Sequence, residues 1–200
     1  MASEVFAQRA LFGGAITSTF PLRFEDVSRI RDVPDNQEVL VDPSRDESLI
    51  FELLEMKHDV PDYQSATWFI QDLANEQDAE LCSAIQQSAV MDAPSLTYGN
   101  MPAVVTTAVG EMAISKGRQG REAQNIVRVY LADIRLRAVN TDVLIVAYEP
   151  LLINPLSESA PVVGAGYAVP AAQSGIATME DVFKQATSSF MVGDWSLFVH

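Results

Sequence analysis

The stretch NIVRVYLADIRLR, residues 125–137, carries apolar side chains on both parities. In an extended chain successive residues point to opposite faces. Tyr130, Ile134 and Leu136 therefore share one face, and Val127, Val129 and Leu131 share the other. A strand that is apolar on both faces belongs at the centre of a sheet, and each face needs a covering layer. AVVTTAVGEMAIS (103–115) lies before it and DVLIVAY (142–148) after it, both rich in β-branched residues. KGRQGRE and VNT connect the three, and such short connections make neighbours antiparallel. The expected fold is α+β: an αβα sandwich whose central antiparallel sheet has about six strands, with helices on both faces.

Outward from this centre, the chain supplies both strands and covers. FGGAITSTFP points to a strand near 14–19. Asp26 and Ser28 can start a short helical turn. Pro34-Asp35-Asn36 is turn chemistry, since proline presets φ and Asp and Asn tolerate tight conformations. EVLV then reads as a strand. In PDYQSATWFIQDLANEQ (61–77), Ala66, Phe69, Ile70 and Leu73 recur at helical spacing. A short strand is expected within 80–87 and a loop at MDAPSLTYGNMP (91–102). Residues 150–177, rich in Pro, Ala, Gly and Ser, read as a long loop. Thr178 and Asp181 resemble a capping box ahead of a helix striped with Met179, Val182, Phe183, Ala186 and Phe190. The tail DWSLFV is expected against the body through Trp195 and Phe198.

Two hundred residues suit one domain spanning 1–200. The net formal charge of −14 is uneven. Residues 1–100 hold 18 acids against 6 bases, and residues 25–62 alone hold 12 against 4. Such a field repels nucleic acid and accelerates the approach of a basic protein partner. It also serves plain solubility. No apolar run is long enough for a spanning helix, so no membrane is expected. The start of the chain lacks the features of a secretory signal.

Cofactor and metal chemistry find little support. One cysteine, Cys82, and two histidines, His58 and His200, are too few for the usual zinc site, so no metal is expected. Cys82 reads as a small buried hydrophobe, and His58 in KHDVPD as a solvated histidine. The P-loop and nucleophile-elbow patterns are absent, and GAG at 164–166 lacks the context of a dinucleotide site, so no cofactor is expected. DESLIFELLE (46–55) stands apart: Glu52 and Glu55 punctuate an apolar run. On a helix they share a face, and on a strand they oppose each other. A carboxylate-pair enzyme, a solvated surface and a partner-binding surface all remain open on the residues alone.

Taken in order, LFGGAI (11–16), DVSRIRDVPDNQEV (26–39), DESLIFELLE, TWFIQDLA (67–74), ADIRLRAVNTDVLIVAYEPL (132–151) and FMVGDWSLF (190–198) resemble the Ran guanine nucleotide release factor family. Segments 88–102 and 154–177 depart from that family and look like loop insertions. The resemblance implies an antiparallel sheet between helices, related to the PsbP-like fold, and tips 46–55 to a strand. It implies binding of the small GTPase Ran, promotion of GTP release without catalysis, and a role in protein transport in nucleus and cytoplasm. The implied partner-binding surface carries over to Glu52 and Glu55. Asp26, Glu38 and Asp46 are read as sharing that patch, with Asp35 in its turn beside it. Arg29 and Arg31 are expected to pair with neighbouring acids. A monomer is expected. The alternative sharing that fold is a PsbP-like photosynthetic structural subunit.

Overall fold

The computed structural model describes residues 3–81, 86–87, 89–117 and 119–199. Cys82 and the middle of the strand expected at 80–87 lie outside the described residues. The chain runs through β1 (Phe6–Leu11), β2 (Ile16–Pro21), β3 (Glu25–Asp26), β4 (Gln37–Asp42), β5 (Glu47–Glu55), α1 (Asp62–Glu76), β6 (Glu80–Leu81), β7 (Gln86–Gln87) and β8 (Met91–Tyr98). It continues through β9 (Met101–Ile114), β10 (Asn125–Leu136), β11 (Thr141–Ile153), α2 (Ala160–Val163), β12 (Gly166–Tyr167), α3 (Met179–Ser188) and β13 (Met191–Val192).

β9, β10 and β11 form the antiparallel centre, in the order the short connections dictate. The sheet extends β3-β4-β5-β11-β10-β9, and β6, β7 and β8 pair in succession along β9 while β12 pairs with the end of β11. That makes ten strand segments where about six were expected. The largest difference is the expected loop at 91–102, which is a β-hairpin. Pro94 fits there because β8 pairs with β9 alone, and an edge strand can spare an N–H. Gly99 and Asn100 carry the turn with φ of 56° and 63°, the left-handed pair that a two-residue hairpin requires. Residues 150–177 also differ in part. β11 runs on to Ile153, and β12 folds back onto Leu152 and Ile153.

Both faces of β10 are covered, as its sequence demands. Tyr130, Ala132, Ile134 and Leu136 pack with Phe20, Phe51, Val182 and Phe183. Val127, Val129 and Leu131 pack on the other side with Ala66, Phe69 and Ile70 of α1. Each large side chain so buried contributes roughly 1.5–3 kcal/mol. On the first face α3 shares the cover with a separate three-stranded sheet, β1-β2-β13, which the sequence did not suggest beyond one strand. Ser18 Oγ donates to Ala186 O at 2.8 Å and Thr19 N to Ser189 Oγ at 2.8 Å, tying β2 to the last turn of α3. Thr178 caps α3 by accepting from Asp181 N, and its own hydroxyl donates to the Asp181 carboxylate. Trp195 and Phe198 lie against the body, with Trp195 stacked on Tyr98.

One polar cluster interrupts the apolar core. Arg135 of β10 is 3% exposed and forms a bidentate pair with Asp142 of β11, at 2.9 and 3.2 Å. The same guanidinium donates to Lys57 O and Val60 O and to Asp62 Oδ1, so it holds the connection from β5 to α1. Asp133, 1% exposed, stands 3.6 Å from the Arg135 guanidinium. Burial first, and the Asp142 charge second, push the Asp133 carboxyl up to about 7 from 3.8. Between those values the folded chain keeps a proton that the unfolded chain has released. The stabilisation from this group is therefore whole below the unfolded value and is lost as pH rises through about 7. The Asp133→Asn variant should remove that loss. Thermal melts at pH 5 and pH 8 check this: the gap between the two should shrink by about 5–10 °C, for roughly two pH units of lost proton binding at 2–4 °C per kcal/mol for a chain of this size. An unchanged gap would refute it.

Candidate functional site

The two glutamates of the β5 run lie on opposite faces. Glu52 shares the α1 side with Ile50 and Leu54, which pack into that core, while Glu55 follows Phe51 and Leu53 on the α3 side. Glu52 is half-buried and accepts from Gln37 Nε2 at 2.8 Å, across the pairing of β4 with β5. Glu55 is exposed at the strand end. Two carboxylates on opposite faces cannot flank one substrate, so a general acid/base pair is excluded for them.

Three further acids gather around a cleft beside β4. Glu38 faces Phe51 across the β4–β5 ladder and so stands on the α3 side too. Its Oε1 accepts from Phe12 N at 2.6 Å. That bond fixes the turn after β1, where Phe12 itself adopts a φ of 50°. Asp35 sits exposed in the Pro34–Gln37 turn, closed by Gln37 N donating to Pro34 O at 2.9 Å. The turn abuts β5, because Leu53 N donates to Asn36 O and Asn36 Nδ2 to Leu53 O. Asp26 is exposed on β3, where its carboxylate accepts from Ser28 N and Ser28 Oγ. This side-chain turn leads into the expected short helical turn, in which Ile30 N and Arg31 N donate to Val27 O at 2.9 and 3.1 Å. Asp26, Asp35 and Glu38 line one shallow cleft, walled by Phe12, Val33 and Leu197.

Asp46 is set apart from these. It occupies the β4–β5 turn with a φ of 55°, at the other end of β5 from Glu55, about 30 Å away at strand rise. Lys116 pairs with its Oδ1, and Ser159 Oγ donates to its Oδ2 at 2.6 Å. Asp42 and Glu47 at that end are buried and lie within ionic distance of Arg23, while Arg45 reaches Glu47 at 2.9 Å. Burial raises the Glu47 carboxyl above its ordinary value despite both arginines. The acids along β4 and β5 thus divide: Asp42, Asp46 and Glu47 near the β4–β5 turn are paired internally, and Asp35 and Glu55 at the opposite end face solvent. Arg29 and Arg31, expected to pair with neighbouring acids, are exposed and hold no ion pair among the described residues. Lys57 lies over the Trp68 ring at 5.1 Å. His58 is exposed. The apolar walls Phe12 and Leu197 escaped the sequence reading, and the only signal for them was the glycine pair that turns the chain at LFGG.

The arrangement offers exposed carboxylates around an apolar-walled hollow, with no nucleophile or paired base among them. The chain resembles known proteins along most of its length. The family profile described as Ran-interacting Mog1 protein matches residues 9–150. The Ran guanine nucleotide release factor of Danio rerio is 35% identical over 153 residues, covering 76% of this chain and 82% of the relative. The probable Ran guanine nucleotide release factor of Dictyostelium discoideum is 30% identical over 201 residues and covers 99% of both. The crystal structure of the Ran-binding protein Mog1p of Saccharomyces cerevisiae superposes with a TM-score of 0.63 over 98% of this chain and all of that one. At 23% identity this last likeness speaks for the fold. The chain belongs to the Mog1 family.

Proposed function

We propose that the protein binds the small GTPase Ran and promotes release of its guanine nucleotide, in the service of nuclear protein import. Its relatives carry the names Ran guanine nucleotide release factor and nuclear import protein. The observation that carries the reading to particular residues is the gathering of Asp26, Asp35 and Glu38 around one cleft, with Glu55 exposed at the end of β5, all four without an ion pair among the described residues. The protein acts without catalysis and works between nucleus and cytoplasm. The family's relation to the PsbP-like fold belongs to the same reading. A photosynthetic structural role draws no support from relatives that bear import and release-factor names.

The activity needs a surface and no reacting group. If the protein binds nucleotide-free Ran more tightly than loaded Ran, linkage weakens nucleotide binding by the same factor. Carboxylates at the surface compete for lysines that otherwise hold phosphates. Glu55 and Asp35, exposed and free of partners among the described residues, make the direct contacts. Glu38 contributes charge while holding the Phe12 turn in place. Glu52 reaches the partner around the edge of the sheet, from the other face. Asp46 stabilises the β4–β5 turn.

Release of a fluorescent GTP analogue from Ran tests this. The protein should accelerate release, and Glu55→Lys with Asp35→Lys should reduce the effect at least about tenfold, near 1.4 kcal/mol. Asp46→Asn should leave it unchanged. No binding, or a loss confined to Asp46→Asn, would sink the assignment. Chemical denaturation separates the two kinds of carboxylate: Glu38→Ala should cost about 1–2 kcal/mol by orphaning the Phe12 N–H. Asp35→Ala should stay within about 0.5 kcal/mol.

A further inference from the structure

The opposite edge of the sheet carries an open cleft with a different chemistry. α3 packs on β11, β2 and β10. On β9 the same face is formed by Val105, Thr107 and Val109, which remain half-buried. The hollow above them has a volume of about 1080 Å³. That matches the upper range of sites which enclose a ligand, roughly 300–1,000 Å³. Phe183 and Tyr130 form its inner wall. Its outer wall is β8, where Met91, Asp92, Ala93, Ser95 and Leu96 all line the space. A strand seen face-on presents every second residue. β8 slips register against β9 between Ala93 and Thr97, so residues of both parities turn toward the space. Among the described residues nothing but β9 pairs with β8.

The rim has a sign. Asp92, Glu180 and Asp181 stand at it, and the cation among the lining residues, Lys184, is held by Glu180 at 2.7 Å. We propose that this cleft docks an extended segment of a partner protein in which lysine or arginine alternates with aliphatic side chains. The segment lies in the cleft between β8 and α3, over the face of β9. The two-residue period of an extended chain sends its aliphatic side chains down onto Val105, Val109 and Phe183. The same period sends its cations out to Asp92 and Asp181. β4, beside the acidic cleft, lies five strand spacings from β8, about 24 Å. Both clefts can therefore be occupied at once, and the inference stands apart from the Ran reading.

The test uses the full chain and a fluorescein-labelled octapeptide, KVKLKVKL, with EVELEVEL as its charge-reversed twin. Anisotropy should show binding of the lysine peptide and not of the glutamate peptide. Amide exchange at Ala93, Ser95 and Leu96 should slow when it binds. Val109→Phe, which fills the floor without changing charge, should weaken binding at least about tenfold. Asp92→Lys, at an exposed position, should weaken it as well and serves if the first variant does not fold. Glu55→Lys should leave peptide binding unchanged. Absence of binding, binding without protection of β8, or full binding by both cleft variants would overturn the proposal.

Discussion

Arg135 is a charged group buried at the end of a central strand, where apolar side chains would pack more simply. Its guanidinium has five donors, and the fold gives them Asp142, Asp62 and two backbone carbonyls. Removing one partner of a buried pair costs about 3–5 kcal/mol, because the other charge is left uncompensated. The cluster therefore acts as a geometric pin. It fixes β10 against β11, sets where β5 must end and determines the angle at which α1 departs. α1 in turn covers the Val127, Val129 and Leu131 face. The position of Glu55, at the end of β5, follows from the same pin.

The acidic surface follows from topology as much as from composition. A run of like charge in a sequence says nothing about where the charge points. Here β4 and β5 carry acids at both ends, and the fold neutralises one end with Arg23, Arg45 and Lys116. The other end keeps its field, with apolar side chains from distant parts of the chain set among the carboxylates. Charge steers a partner's approach, and the apolar walls supply contact area once it arrives. Phe12 and Leu197 lie far apart in the sequence, so no local pattern could announce the hollow they form.

The sheet's centre was legible because a strand with two apolar faces permits few environments. α1 and α3 were legible because their apolar stripes have helical period. β8 was not, since an edge strand with six exposed residues needs neither apolar alternation nor all its N–H groups. Its hairpin signal was the Gly99-Asn100 pair, outweighed by the loop composition around it. Among the acids, Glu55 and Asp35 were legible as surface groups. The roles of Glu38 and Asp46 were not, because each holds a backbone turn or side chain distant in sequence, Phe12 for one and Ser159 for the other.

The small sheet β1-β2-β13 joins residues from the first and last tenths of the chain. Its consequence lies in biosynthesis. When β11 leaves the ribosome, the central sheet can form and α1 is ready to cover one side. The other side must wait for α3 and β13, about forty residues later, or roughly 2–8 s at ordinary elongation rates. During that interval Tyr130, Ile134 and Phe51 lack much of their native lid, and the β1–β2 hairpin lacks its third strand. A nascent chain paused there exposes a greasy sheet face, which is the kind of surface that chaperones retain.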